Sequence, residues 1–352
     1  MKAVRLYAPG DLRVEDVEVP KIKDNEVLIQ VMYCGVCGSD IPRVTQFGAH
    51  VSPVTIGHEF AGKIAEVGGG VKEFKAGDRV VVPPLIPCYK CEWCESGVYS
   101  LCEDYDYYGS RSDGAMAEYI AVNEDNLLHI PENVSYMDAA TTDPAANAIH
   151  GITQAALQPG EVFVVYGAGP IGLFAIQVAK AKGASKVIAI DIGEKKTGIA
   201  KTVGADVVID ALKEDPVAVV KKETEGRKAE VVIDFTGAPA AQKIAVSLVR
   251  KMGRLVYLGI SHKGLELDEH DIDEVLRSQL SIIGSWNSFT KPFPGNDWFT
   301  ALELFAAGKM TAGPVVSHKL PLDEAPDIFK RIVQSSFFFN KIMFLPNGDV
   351  VE

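Results

Sequence analysis

The chain has 352 residues, of which 47% are apolar and 23% charged, and a formal net charge of −12. That length points to two domains rather than one core. The acidic balance opposes the broad cationic footprint of a nucleic-acid binder. No run approaches the roughly 20 apolar residues that cross a bilayer, so a cytoplasmic protein with neither a nucleic-acid nor a membrane partner is expected.

Short β-rich runs at residues 2–7, 26–33, 62–67, 79–82 and 117–122, separated by Gly, Pro and Asp, predict an all-β, barrel-like domain over the first 145 residues. Two motifs interrupt it. Cys37-Gly38-Ser39-Asp40 is followed about twenty residues later by Gly57-His58-Glu59. Taken singly, Cys37 and His58 read as a buried thiol and a core histidine. Brought together, the Cys37 thiolate, the His58 imidazole and the Glu59 carboxylate hold a divalent metal with one position open. Such an ion lowers the pKa of an alcohol oxygen, and the charge that develops there favours hydride departure to a nicotinamide.

Cys88, Cys91, Cys94 and Cys102 then fall within fifteen residues, and all six cysteines of the chain precede residue 103. Residues 1–11 alternate polar and apolar side chains and lack the apolar run of a secretory signal, so a disulfide framework is not expected. The spacing predicts a closed structural zinc site of four thiolates, which folds a loop and leaves no position for chemistry.

Near Pro144 the texture changes. Strands at 161–166, 186–191, 207–210, 230–235, 254–259 and 280–284 alternate with a helix at 171–182 and further helix-like spacers, the pattern of a doubly wound parallel sheet. Gly167-Ala168-Gly169-Pro170-Ile171-Gly172 follows the first of these strands as a dinucleotide fingerprint. Gly167 permits the tight turn, Gly169 lets the backbone approach a pyrophosphate, Pro170 and Ile171 open the receiving helix, and Gly172 allows close packing. Asp191, nineteen residues after Gly172, is positioned to take ribose hydroxyls, or else to cap a helix. Residues 192–194 offer no arginine for a 2′-phosphate, although Lys195 and Lys196 are near, so NAD is expected over NADP. After residue 290 the chain becomes Pro-rich, with one amphipathic helix at 297–307 and a closing strand at 341–345.

The motifs Cys37-Gly38-Ser39-Asp40, Gly57-His58-Glu59-Phe60-Ala61-Gly62, the cysteine loop and the Gly167 fingerprint together resemble those of the zinc-dependent medium-chain dehydrogenases, over essentially the whole chain. The resemblance implies a GroES-like β-barrel catalytic domain (1–148, with the zinc loop at 87–103), a Rossmann NAD-binding domain (149–288) and a return to the first domain (289–352), with the active site in a cleft between them. It implies two zinc ions per chain and a homodimer or homotetramer. Cys37-Gly38-Ser39-Asp40-Ile41-Pro42-Arg43, Phe47-Gly48-Ala49-His50, Tyr108-Gly109-Ser110-Arg111 and Ile283-Gly284-Ser285-Trp286 are similar to the polyol-phosphate branch. That branch implies a fourth metal ligand from a Glu-Pro pair, which is Asp143-Pro144 here. The shorter side chain of Asp143 leaves direct, water-bridged and absent ligation open. Ser39 implies a first step in proton transfer, and Pro42 stands where many relatives carry a relaying histidine.

Within this resemblance, Arg43, Arg111 and Lys291, with His50, are candidates to hold a substrate phosphate, and Trp286 and Phe289 to wall the cleft. The expected reaction is NAD-dependent oxidation of a small-molecule polyol phosphate to a ketose phosphate. Alternatives are a pentitol phosphate, an unphosphorylated polyol, or a metal-free quinone reductase-like or regulatory protein.

Overall fold

In a computed structural model that describes residues 1–348, the chain crosses four times between two units. The first comprises Met1–Asp143, Phe289–Ala306 and the chain from Val316 onward; the second comprises Pro144–Ser288 and Ala307–Val315.

The first unit is organised by strand Glu26–Gly35, which pairs antiparallel with Glu59–Val67, Tyr119–Asn123 and, at its far end, Lys341–Phe344. The sheet order is Leu128–His129, Arg79–Val81, Glu59–Val67, Glu26–Gly35, Lys341–Phe344, Val316–Leu320. A three-stranded sheet of Asp11–Asp16, Lys2–Ala8 and Val54–Thr55 accompanies it. Val4, Ile29, Ile56, Phe60, Ile64, Phe329 and Phe344 belong to one buried cluster, because alternate residues along these strands point to one face. The ladder register decides the site: Gly35 lies opposite Glu59. Cys37 therefore emerges just beyond one strand end beside the start of the next, which carries His58 and Glu59.

The chain end holds more structure than expected. Beyond helix Asn296–Ala306 and strand Lys341–Phe344 it forms strand Val316–Leu320 and helix Ala325–Val333. That helix buries Ala325, Ile328, Phe329 and Ile332, a three-and-four spacing visible in the sequence. Pro326 sits in its first turn, where a missing N–H is harmless. Asp143-Pro144, expected at a domain boundary, likewise lies in the first turn of helix Thr142–Gln154.

The second unit carries a six-stranded, wholly parallel sheet in the order Val207–Asp210, Lys186–Asp191, Val162–Tyr166, Ala229–Asp234, Val249–Tyr257, Ser281–Gly284. In chain order this is 3-2-1-4-5-6, the doubly wound Rossmann arrangement. Its central strands are buried on both faces, with Val164, Ile188, Ile190, Val232 and Leu255 fully covered. Strand Val249–Tyr257 begins well before the expected residue 254. A register shift between Ala229 and Val231 pairs Val249 and then Arg254 and leaves residues 250–253 bulged out of that ladder, which propensity alone does not reveal.

Candidate metal and dinucleotide sites

In the first unit one ligand atom each from Cys37, His58 and Glu59 lies within 4.8 Å of the others. His58 and Glu59 are buried and Cys37 is partly buried. Asp40, fully buried, braces the set: Oδ2 accepts the Cys37 N–H at 2.9 Å, and Oδ1 lies 3.5 Å from His58 Nδ1 and 3.4 Å from the Arg43 guanidinium. Burial works against the Asp40 charge, but His58, then Arg43 and the Cys37 N–H, hold its carboxyl below the usual range. Burial also disfavours a charged His58, yet Asp40 and Cys37 outweigh it and raise that ring well above its ordinary value. The Ser39 hydroxyl donates to Cys37 Sγ at 3.2 Å, and the Tyr107 ring meets His58 edge-on at 5.5 Å.

Two features depart from the expectation. Lys341, only 2% exposed, forms an ion pair with Glu59 and donates to the Val36 carbonyl at 2.9 Å. Burial opposes its charge, but Glu59 outweighs that and raises the Lys341 pKa. Its signal was a lone lysine in an otherwise apolar strand. Asp143 does not join the three donors within 4.8 Å, because its carboxylate is one methylene shorter than the glutamate of the related motif. It is buried close by. Burial first, opposed by His58 and reinforced by Glu59, pushes it up to about 7. The four acidic groups Cys37, Asp40, Glu59 and Asp143 thus converge with Lys341 as a fully buried fixed cation. Sulfur, nitrogen and oxygen donors brought to one spot fit a divalent zinc ion.

Cys88, Cys91, Cys94 and Cys102 also bring their sulfurs within 4.8 Å of one another, and all six cysteines are free thiols. The Cys88 N–H donates to Cys102 Sγ at 3.2 Å. Backbone N–H groups of Glu103 and Cys94 pull Cys91 down to about 6, while burial pushes Cys94 up to about 12. An all-thiolate set of this geometry fits zinc. Cys34 stands apart in the core.

In the second unit Gly169 caps helix Pro170–Ala181. A Cβ on Gly172 would stand 1.9 Å from the Gly167 carbonyl, whereas one on Gly169 meets nothing within 4 Å. The helix start therefore packs tightly on one side and opens on the other, and a pyrophosphate fits that open side. Asp191 accepts the N–H groups of Ala168 and Ile192, each at 2.6 Å, so it fastens the fingerprint loop to the neighbouring strand end. Its remaining lone pairs are available to ribose hydroxyls. Lys196 is held 3.6 Å from the same carboxylate.

The substrate candidates divide. Arg43, His50 and Arg111 converge in the first unit: the His50 N–H donates to the Ser110 carbonyl at 3.3 Å, and both guanidinia act on the His50 ring. The Arg111 loop lies against the Gly57-His58 motif because Gly109, at φ +80°, approaches the Gly57 carbonyl so closely that a Cβ would stand 2.6 Å from it. Lys291 is exposed, its N–H bonded to the Gly97 carbonyl of the cysteine loop at 2.9 Å. Phe289 is fully buried, stacked on Trp298 and Phe293; it is a core residue and walls no cleft. Trp286, in the second unit, is 49% exposed.

Residues 23–132 match the alcohol dehydrogenase GroES-like domain and residues 170–307 the zinc-binding dehydrogenase domain. Galactitol 1-phosphate 5-dehydrogenase of Escherichia coli K12 is 34% identical over 98% of this chain and 100% of that enzyme. Sorbitol dehydrogenase of Bacillus subtilis 168 is 33% identical over 99% of this chain and 98% of that enzyme. The crystal structure of galactitol-1-phosphate dehydrogenase from Escherichia coli superimposes with a TM-score of 0.93, covering 98% of this chain and 100% of that one. With both matched domains, the mixed metal donor set and the glycine fingerprint in one chain, the protein belongs to the zinc-dependent medium-chain dehydrogenases, oxidoreductases that use zinc and a nicotinamide dinucleotide.

Proposed function

We propose that this enzyme oxidises a secondary hydroxyl of a polyol phosphate to a ketose phosphate, with NAD as hydride acceptor. The observation that carries the metal-dependent reading is the convergence of Cys37, His58 and Glu59. A metal-free quinone reductase-like or regulatory protein has no use for three such donors in a buried acidic pocket. The phosphate ester is supported by similarity to galactitol 1-phosphate 5-dehydrogenase, and the free polyol remains a second reading through similarity to sorbitol dehydrogenase.

Cys37, His58 and Glu59 would hold a zinc ion that would supply Lewis acidity to the substrate hydroxyl, and a bound dinucleotide would supply the hydride acceptor. The chain does the rest. Asp40, 3.5 Å from His58 Nδ1, would hold the ring by charge so that Nε2 could serve as the ligand. Lys341 fixes the Glu59 carboxylate. Asp143, outside the three donors, would reach a bound zinc only through a water. Ser39 accepts the substrate hydroxyl proton and passes it to solvent by way of water, since Pro42 lacks a titratable group. The four thiols Cys88, Cys91, Cys94 and Cys102 bind a second, structural zinc.

For the cofactor, the Asp191 carboxylate favours a ribose 2′-hydroxyl and repels a 2′-phosphate, while Lys196 stays paired with it. Gly169, Pro170 and Ile171 form the pyrophosphate cradle. For assembly, a homodimer or homotetramer is supported by edge strand Ser281–Gly284, where Ile282 is exposed, and by Ile272 and Leu276 on helix Glu269–Arg277, also exposed. Six free thiols support a reducing, cytoplasmic setting.

The deciding experiment is a substrate panel with NAD that pairs each polyol with its phosphate ester, together with metal analysis. The reading requires about two zinc ions per chain and a higher kcat/KM for the esters. One zinc per chain removes the catalytic metal, and equal rates for ester and free polyol favour the sorbitol-like reading.

A further inference from the structure

We propose that Arg43, His50 and Arg111 form the subsite that binds the phosphate group of the substrate, an inference that rests on the polyol-phosphate reading above. Two of these side chains come from the turn after the Cys37 motif and the third from the loop after the cysteine cluster. The bond from the His50 N–H to the Ser110 carbonyl holds the two segments together at 3.3 Å.

The Arg111 charge at this junction is not balanced by a protein carboxylate among the described residues. Arg43 reaches Asp40 at 3.4 Å, but that carboxylate already serves His58 and the Cys37 N–H. Arg111 has no carboxylate within ion-pair distance among the described residues. Its guanidinium lies over the Tyr105 ring at 4.5 Å, and its Nε is buried without a hydrogen-bond partner. Burial, and after it Arg111 and then Arg43, lowers the His50 pKa, the behaviour of a ring set beside two cations. A buried guanidinium nitrogen left without a partner beside a second guanidinium suits a phosphate monoester, whose oxygens take paired N–H donors.

The junction is also tied to the reacting centre by two short routes. One runs from Arg43 through Asp40 to His58. The other runs from Arg111 through the Tyr105 and Tyr107 rings, 6.3 Å apart, to His58, 5.5 Å from Tyr107. A phosphate bound here could belong to the same molecule as a hydroxyl at the metal donors, because both routes end on His58.

The test uses the zinc-loaded enzyme and compares wild type with Arg111→Gln, Arg111→Lys and Arg43→Gln. Two quantities are read: the ratio of kcat/KM for a polyol phosphate to that for its parent polyol, and inhibition by inorganic phosphate at saturating NAD. The expected result is a ratio that falls about 10- to 100-fold in Arg111→Gln, a partial recovery in Arg111→Lys, and phosphate inhibition that is competitive with the ester in wild type and weakened in both Gln variants. An ester preference and a phosphate inhibition that survive Arg111→Gln would overturn the subsite while leaving the polyol-phosphate reading intact. If wild type shows no ester preference, that reading fails; the anion site itself then stands only if phosphate still inhibits wild type and not Arg111→Gln, and falls otherwise.

Discussion

The first unit contains two metal donor sets that differ in how the chain assembles them. The four-cysteine loop draws every ligand from one stretch of fifteen residues. The Cys37, His58 and Glu59 set depends on two strands meeting in register, and its Lys341 brace lies 282 positions from Glu59. The loop is saturated by thiolates, whereas the second set mixes sulfur, nitrogen and oxygen and is surrounded by further titratable groups. A closed set suits structure and an open, mixed set suits chemistry. Substitutions should therefore separate activity from stability according to which set they touch.

The largest effect is expected at the mixed set. Cys37→Ser or His58→Ala should lower kcat/KM by about a thousandfold or more, since metal polarisation contributes several kcal/mol and each ~1.4 kcal/mol is tenfold. Far-UV circular dichroism should stay native. Turnover near wild type in either variant would remove these residues from the reacting centre.

Cys94→Ser should act in the opposite sense. Zinc binding at such a loop is folding free energy of about 10 kcal/mol, and losing part of it should lower Tm by roughly ten degrees. A melt unchanged from wild type would deny the loop its structural role. Lys341→Met lies between the two classes. In the zinc-free protein it leaves Glu59 buried and unpaired, which should destabilise that form by about 3–5 kcal/mol in urea unfolding, and Lys341→Arg should recover much of that. Equal stability of the Met variant would mean that Glu59 needs no partner.

A smaller effect is expected in the second unit. Asp191→Ala should weaken NAD by about tenfold and narrow its advantage over NADP, one lost charge-assisted hydrogen bond being worth ~1.5 kcal/mol. Kinetics with an undiminished NAD preference would reassign Asp191 to fastening the Ala168 loop alone. The smallest effect is a proton count. In the metal-free loop Cys94 sits at about 12 and Cys102 is also raised, both chiefly by burial, while Cys91 lies at about 6. Zinc uptake at neutral pH must therefore displace protons, chiefly from Cys94 and Cys102. Affinity should rise with pH, and chelators should extract the metal faster as pH falls. A dye-based titration that detects no proton release would contradict those assignments.

Where ligands or hydrogen bonds are local, the amino-acid order was sufficient. The cysteine spacing, the glycine fingerprint followed by Asp191, and the Val- and Ile-rich strands of the parallel sheet each announce their structure within a few dozen residues, because neighbours in the chain are neighbours in space. Strand Lys186–Asp191 and helix Pro170–Ala181 lie where their periodicity puts them. The C-terminal helix Ala325–Val333 carries an equally legible spacing of buried residues beside a proline-rich run.

What only tertiary structure decided are the contacts across distant segments. The opposition of Gly35 and Glu59 brings the two metal motifs together, strand Lys341–Phe344 carries a buried cation to Glu59, and the loop at Gly109 carries Arg111 to His50. The short arm of Asp143 stops outside the three donors, and Phe289 turns into the core. None of these is encoded in local pattern. Ladder register and side-chain reach are set by how whole sheets pack, and a shift of one residue reverses every side chain on a strand.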